Sequence, residues 1–152
     1  MITKLKKVYY CEFCKKHNIS AGAMGYHEKH CTANPNRECG VCKLPVEKTT
    51  AIVKKGVARL KQAHKTLLSH KGKDGASDMG ILGTYTYRFN QKMRKIADEV
   101  DCPACMLSII RQSGIRDYLE YYNFKEEMDK IFEERRKKDQ EEAEREAIYG
   151  TF

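Results

Sequence analysis

Three Cys-x2-Cys pairs constrain this 152-residue chain more than any other feature of its sequence. The pairs are Cys11/Cys14, Cys39/Cys42 and Cys102/Cys105. The seventh cysteine, Cys31, lies four residues after His27. A gap of two residues lets a tight turn direct both thiolates at one metal ion, as zinc knuckles do. We therefore predict that the fold is built around bound metal.

The state of the thiols depends on the compartment in which the chain folds. No stretch of the sequence approaches the ~20 apolar residues of a membrane span. The basic first seven residues lack the apolar segment of a secretory signal. We therefore expect a cytoplasmic protein with no membrane partner, in which thiols stay reduced and bind metal instead of forming disulfides.

The first ligand set combines one cysteine pair with a histidine and a cysteine further along the chain. It reads Cys11-x2-Cys14-x12-His27-x3-Cys31. The spacing of four residues places His27 and Cys31 on one face of a helix. His30 is the rival ligand, but it would lie beside Cys31 and lengthen the gap after Cys14 to fifteen residues. We predict His27.

Over residues 9–31 the chain resembles the C2H2 zinc-finger family in its C2HC variant. Tyr9 stands at the aromatic position before the first cysteine, and Met24 at the apolar position before the histidine. The resemblance implies a ββα finger holding one Zn²⁺. The positions that face DNA bases in this family are Ser20, Ala23 and Tyr26. Because these side chains lack the bidentate groups that read base edges, we expect little sequence specificity.

The remaining four cysteines complete a second ligand set. Two pairs lie 59 residues apart and leave no thiol over: Cys39, Cys42, Cys102 and Cys105. Four thiolates around zinc are typical of a structural, closed site. Pro103 suits the first turn of a helix, so the second pair should open one. We predict two Zn²⁺ per chain and no small-molecule substrate.

Two enzyme alternatives use the same cysteines. Cys-Pro-x-Cys at residues 102–105 is the form of a thioredoxin-like dithiol, but the preceding segment favours helix, and the pair at 39–42 would lack partners. An HNH-type nuclease would also carry two Cys-x2-Cys knuckles. Between the pairs, however, the histidines are only His64 and His70, with no Asp-His pair. We therefore expect a protein that is not an enzyme.

The segments between the cysteines follow a helical pattern. Residues 32–38 form a short polar connector, so the two metal sites should lie close together. Apolar residues recur at helical spacing over 46–70, and His64 on that stripe is expected to be structural. Four glycines over 71–83 predict a mobile loop.

The second half of the sequence also predicts mainly helices. Residues 84–89 alternate like a short strand or begin a helix that runs to about 100. A helix follows from Pro103 to Gly114. A last, highly charged helix spans about 124–148.

The expected fold is therefore mainly α, a small zinc-stapled domain with an N-terminal ββα finger and a C-terminal charged helix. We expect three parts in the chain. They are the C2HC finger over 1–34, a helical domain closed by the four-cysteine site over 35–123, and an exposed charged helix over 124–152.

The charge distribution points to an anionic partner. Residues 1–70 carry fourteen Lys and Arg against four Asp and Glu, or +10, whereas residues 71–152 carry fifteen against seventeen, or −2. Nucleic acid is the leading partner for such a basic segment; ordinary solubilising lysine is the plainer alternative. The candidate nucleic-acid contacts are Lys54, Lys55, Arg59, Lys61, Arg88 and Lys92.

A second functional class stays open beside the first. In it, the finger and the charged helix dock on a protein partner. The sequence from His27 to Arg37, followed by a knuckle, is similar to small zinc-finger proteins of tailed phages. That resemblance implies a host cytoplasm, and for the second class a phage-type regulator, inhibitor or assembly factor.

Overall fold

The computed structural model describes residues 5–71, 79–115 and 122–149. The elements in chain order are β1 (Tyr9–Tyr10), β2 (His17–Asn18), α1 (Ala21–His30), α2 (Val46–Lys71), α3 (Met79–Val100), α4 (Pro103–Ser113) and α5 (Phe124–Tyr149). The expected fold class, mainly helical with a small N-terminal ββα unit, is confirmed. Within the described ranges, no helix combines the length and apolar character needed to span a membrane.

The N-terminal unit is a short hairpin followed by one helix. The strands β1 and β2 are antiparallel, with Tyr10 paired to His17. The helix α1 begins after Ser20, whose hydroxyl accepts a hydrogen bond from the Ala23 amide at 3.3 Å. Such a cap satisfies one of the free amides at a helix start. A buried cluster of Met24 and two cysteines holds the hairpin against α1.

The helical part consists of α2 packed against both α3 and α4. Every third or fourth residue of α2 is buried: Thr49, Val53, Gly56, Leu60, Ala63 and Leu67. This spacing places them on one face of the helix. The opposing face of α3 buries Phe89, Met93 and Ile96, and α4 is buried from Pro103 through Ile110. The core therefore lies between α2 and the two later helices.

The backbones of α2 and α4 approach closely at Gly56. A Cβ atom at this position would lie 2.3 Å from Cδ1 and 2.7 Å from Cγ1 of Ile109. The Ile109 side chain is fully buried, so its neighbours limit how far it can move. The glycine therefore allows the two helices to pack closely at this point.

The expected loop over 71–83 is wrong in its second part. Lys71 ends α2, and α3 begins at Met79, so residues 79–83 are helical. Residues 72–78 lie outside the described part. The strand alternative for 84–89 is also excluded, because that segment belongs to α3. Each glycine over residues 79–83 costs the helix about 1 kcal/mol. The segment is helical nevertheless, because an established helix extends more readily than a new one nucleates.

The chain divides into two compact units, residues 1–118 and 119–152. The second unit contains α5, and the Glu126 amide in its first turn donates a capping hydrogen bond to Asn123 Oδ1 at 3.3 Å. The described side chains from Phe132 to Ala147 are exposed within this unit. The expected domain boundaries at residues 34 and 123 stay predictions.

We predict that Gly56→Ala destabilises the protein. The added methyl group overpacks the contact with Ile109 and should cost about 1–3 kcal/mol, more than the ~1 kcal/mol gained in helix propensity. Chemical denaturation of the metal-saturated protein measures the change. In an Ile109→Ala background the same substitution should cost nothing, and Gly22→Ala, at an open position of α1, should not destabilise. A loss from Gly56→Ala that persists in the Ile109→Ala background would contradict the steric explanation.

Candidate metal centres

The first group of potential ligands joins the hairpin to α1. The ligand atoms of Cys11, Cys14, His27 and Cys31 all lie within 4.8 Å of one another. Cys14 Sγ is 3.1 Å from His27 Nε2. A tetrahedral zinc ion with ligands at about 2.0–2.3 Å fits a set of this size. The group can therefore hold one metal ion.

His30 is outside this group and has other contacts. Its Nδ1 lies 3.1 Å from the Glu38 carbonyl oxygen, to which it can donate a hydrogen bond. Its ring packs on Tyr26, with the ring centroids 4.4 Å apart. The structure thus brings His27 to the cysteines and leaves His30 on the side of the connector. Cys31 follows the last residue of α1 and has an extended backbone.

The second group joins two segments far apart in the sequence. The ligand atoms of Cys39, Cys42, Cys102 and Cys105 lie within 4.8 Å of one another. The Cys39–Cys102 and Cys42–Cys105 sulfur distances are 3.6 and 3.9 Å. Four sulfurs at about 2.3 Å from one zinc ion would be about 3.8 Å apart. This group can therefore hold a second metal ion.

The two knuckles before α2 share one backbone conformation. In each, the residue after the second cysteine, Lys15 or Lys43, has a positive φ, 62° and 54° respectively. Its amide donates a 3.1 Å hydrogen bond to the carbonyl of the first cysteine. A left-handed residue other than glycine costs about 1–2 kcal/mol. The repeated strain indicates that the sulfur positions, and not lysine preference, determine the turn.

The third pair is presented by the start of α4. Cys102 is the N-cap residue, Pro103 occupies the first turn, and the Met106 amide donates to the Cys102 carbonyl at 2.9 Å. Asp101, just before, has a φ of 44°. The positive end of the helix dipole favours thiolates at this position. As expected from its proline, the second pair opens a helix.

The thiols of the second group ionise unequally. Hydrogen bonds from Cys102 and Cys105 lower the pKa of Cys39. The hydrogen bonds with Cys102 and Cys39, followed by burial, raise the pKa of Cys105. One thiolate is therefore favoured, whereas ionising all four requires a cation between them. A divalent metal supplies that charge and displaces the protons as it binds.

Arg37 is a buried residue beside the second group that the sequence did not reveal. Its side chain is only 4% exposed. Its Nη1 donates to the Ala104 carbonyl and to Ser108 Oγ, both at 3.0 Å, and lies 4.0 Å from Cys105 Sγ. Nothing in the polar connector pattern distinguishes this arginine, because its partners lie 67 to 71 residues away.

The buried charge of Arg37 fits a metal-loaded second group. Within the described part of the chain, no carboxylate forms an ion pair with this guanidinium, and its Nε has no hydrogen-bond partner. A buried cation is costly without a counter-charge. Four thiolates around a divalent ion carry a net charge of about −2. The metal centre would therefore stabilise Arg37, and Arg37 would stabilise the centre.

Further hydrogen bonds fix the connector on α4. Gln112 Nε2 donates to the carbonyls of Thr32 and Asn34, both at 3.1 Å. Arg111 donates to Thr32 Oγ1 at 2.6 Å. The connector between the two ligand groups is thus attached to the helix that carries the last cysteine pair.

No family model, curated protein or solved structure matches this chain. The function is therefore argued from the geometry of its own residues.

The six candidate nucleic-acid contacts do not form one surface. On α2, Lys61 lies about 160° around the helix from Arg59. The Arg59 guanidinium donates to both carboxylate oxygens of Glu99. Arg88 and Lys92 lie on α3, beside α2, and line a groove between the two helices. The sequence placed five of these cations on helices and left Arg88 between a strand and a helix, and it did not show how the six divide between faces.

We predict that each ligand group holds its own metal ion. Elemental analysis should give two ions per chain in the wild type and one in Cys39→Ser. Cys102→Ser should lose the same ion, and the double variant should retain one, since one centre is broken twice. Combining Cys11→Ser with Cys39→Ser should remove both. Loss of two ions from the Cys39/Cys102 double variant would show that these cysteines belong to different sites.

We predict that Arg37→Met weakens metal binding at the second group only. Removing a neighbouring group that supports metal ligands typically costs 10–100-fold in affinity. Competition with a chelator, followed by metal release, measures the effect on each of the two ions. Arg37→Lys keeps the charge and should lose less. The matched control is Arg111→Met, an exposed arginine that also contacts the connector. Equal loss in both Met variants would show that the effect comes from connector packing.

Proposed function

We propose that the protein is a non-enzymatic zinc-binding accessory factor that associates with nucleic acid through phosphate contacts, with low sequence specificity. The observation that carries this proposal is the charge of the first compact unit. Residues 1–118 contain 22 Lys and Arg against 10 Asp and Glu, or +12, whereas residues 119–152 contain seven against eleven, or −4.

Most of that charge is not neutralised locally. Among the described side chains of the first unit, Arg59–Glu99 is the one ion pair between a basic and an acidic residue. Basic surfaces of this kind bind phosphates by releasing condensed counterions. The uncompensated charge therefore supports a polyanionic partner.

The ligand groups support a scaffolding role for the metal. Each contains four ligands, the number that fills a tetrahedral zinc shell and leaves no open position for a substrate. All seven cysteines are accounted for by these two groups. Zinc is proposed because three or four thiolates, with or without one imidazole, are its usual structural ligands.

The surface of α1 supports low specificity. The Ser20 hydroxyl is occupied in capping the helix, and Ala23 has no polar side chain. Tyr26 is exposed and packs on His30. None of the three offers the paired donor and acceptor that distinguishes one base pair from another. The resemblance to the C2HC finger family therefore supports the fold of this unit in the proposal, but not the recognition of bases.

Binding of the purified, metal-loaded protein to short GC-rich and AT-rich duplexes tests the proposal. We expect similar affinities for both, and log affinity should fall linearly with log salt, by about 0.9 for each phosphate contact. Strong preference for one sequence would contradict the low specificity. Absence of binding at low salt would reject the nucleic-acid function.

A protein-interaction function is the second candidate, and the exposed apolar side chains of the finger support it. Six of the large apolar residues exposed in the described chain lie there: Leu5, Val8, Tyr10, Phe13, Ile19 and Tyr26. On a monomeric protein, exposed apolar side chains mark a binding site for another protein when they form a contiguous patch. In this case we expect a partner that stays bound at high salt and is lost when Tyr10 and Ile19 are replaced by Ser. A phage-type regulator, inhibitor or assembly factor in a host cytoplasm would act in this way.

A further inference from the structure

The helices α2 and α3 enclose a groove with an apolar floor. Two adjoining hollows of about 350 and 460 Å³ share Ala63, Lys92 and Lys95, and are therefore parts of one groove. Leu67 and Ile96 contribute to the floor. These floor residues are themselves buried, and longer side chains from both helices surround them.

The rim of the groove is cationic. Arg88, Lys92 and Lys95 follow one another at helical spacing and project within about 60° of one another from α3. Arg59 adds a fourth cation from α2, and none of the described residues that line the groove is acidic. The row on α3 is about 10 Å long. Successive phosphates of one duplex strand advance about 3.4 Å along the duplex axis, so a row of this length reaches more than one of them.

Glu99 stands at the edge of the groove and binds one of its cations. Its carboxylate accepts two hydrogen bonds from Arg59. These bonds, and to a smaller extent the charge of Lys55, lower the pKa of the Glu99 carboxyl. The Arg59 and Glu99 side chains are 38% and 54% exposed. Ion pairs at such exposure contribute about 0–1 kcal/mol, so a phosphate can replace the carboxylate.

We propose that the α2–α3 groove binds the sugar–phosphate backbone of duplex nucleic acid, with Glu99 as an internal competitor for Arg59. This proposal rests on the nucleic-acid function proposed above and assigns it to one surface. The charge of the rim is complementary to phosphate. Phe89, the one aromatic residue among the described lining residues, is buried and cannot stack on a base.

The first test compares two variants with the same loss of charge. The groove variant is Arg88→Gln/Lys92→Gln/Lys95→Gln. The control is Lys54→Gln/Lys61→Gln/Lys65→Gln, which removes three exposed cations from the flank of α2 that does not line the groove. We expect the groove variant to bind duplex at least tenfold more weakly than the control. Its salt slope should flatten by about 2.7, for three phosphate contacts.

The second test expects a gain of binding, which misfolding cannot imitate. Glu99→Gln frees Arg59 and should raise duplex affinity about three- to tenfold, with a salt slope steeper by about 0.9. Asp98→Asn removes the same charge from the adjacent, exposed position on α3. It should have a smaller effect and leave the slope nearly unchanged.

The outcomes separate this proposal from the function on which it rests. If the wild type binds no duplex at low salt, both are overturned. If it binds but the two triple variants are weakened equally, or Asp98→Asn acts like Glu99→Gln, phosphate binding stands and the groove is rejected. A groove variant that loses binding only to single strands would overturn the assignment to duplex. Metal content and circular dichroism of all four variants should match the wild type, since every replaced side chain is exposed or half-buried.

Discussion

The four-cysteine cluster is the constraint on which the helical part of the molecule depends. It joins a turn before α2 to the first turn of α4, across 63 residues. Both α2 and α3 therefore lie inside a loop closed by one cluster. The entropic cost of closing a loop grows only slowly with its length, and the free energy of metal binding to such a site is also folding free energy. With that contribution from metal binding, a small hydrophobic core is sufficient for a stable fold.

Two further features show how closely the surrounding structure follows this constraint. The residue after each of the two knuckles before α2 adopts a left-handed backbone in spite of being lysine. A buried arginine from the connector extends to the carbonyl and hydroxyl groups of the helix that carries the last pair. Both arrangements are unfavourable for an isolated chain. The sulfur positions would favour the first arrangement, and the charge of a metal-loaded centre would favour the second.

The sequence was sufficient for the features that depend on local spacing. The first ligand group, the ββα unit, the proline-initiated helix and the charged last helix all follow from residues close together in the sequence. The four-cysteine group follows instead from the four cysteines that the first group leaves. The start of α3 was missed, since the glycines and the Thr-Tyr alternation of residues 79–87 outweighed the helical pattern that begins at Phe89. Arg37 was missed for a different reason. Its role depends on atoms about 70 residues away, and no local pattern encodes a tertiary contact of that kind.

The attachment of the connector to α4 changes what the ββα unit can do if it acts as a zinc finger. Fingers in tandem arrays are joined by linkers and align with a ligand one after another. Here, Arg37 donates from the connector to α4, and Arg111 and Gln112 donate from α4 to the connector. The ββα unit is thus attached to the helical core by contacts within the fold. A ligand that contacts both the ββα unit and the helical core would lose its rotational and translational freedom in one step. Its effective concentration at the second of these surfaces would not depend on a flexible tether.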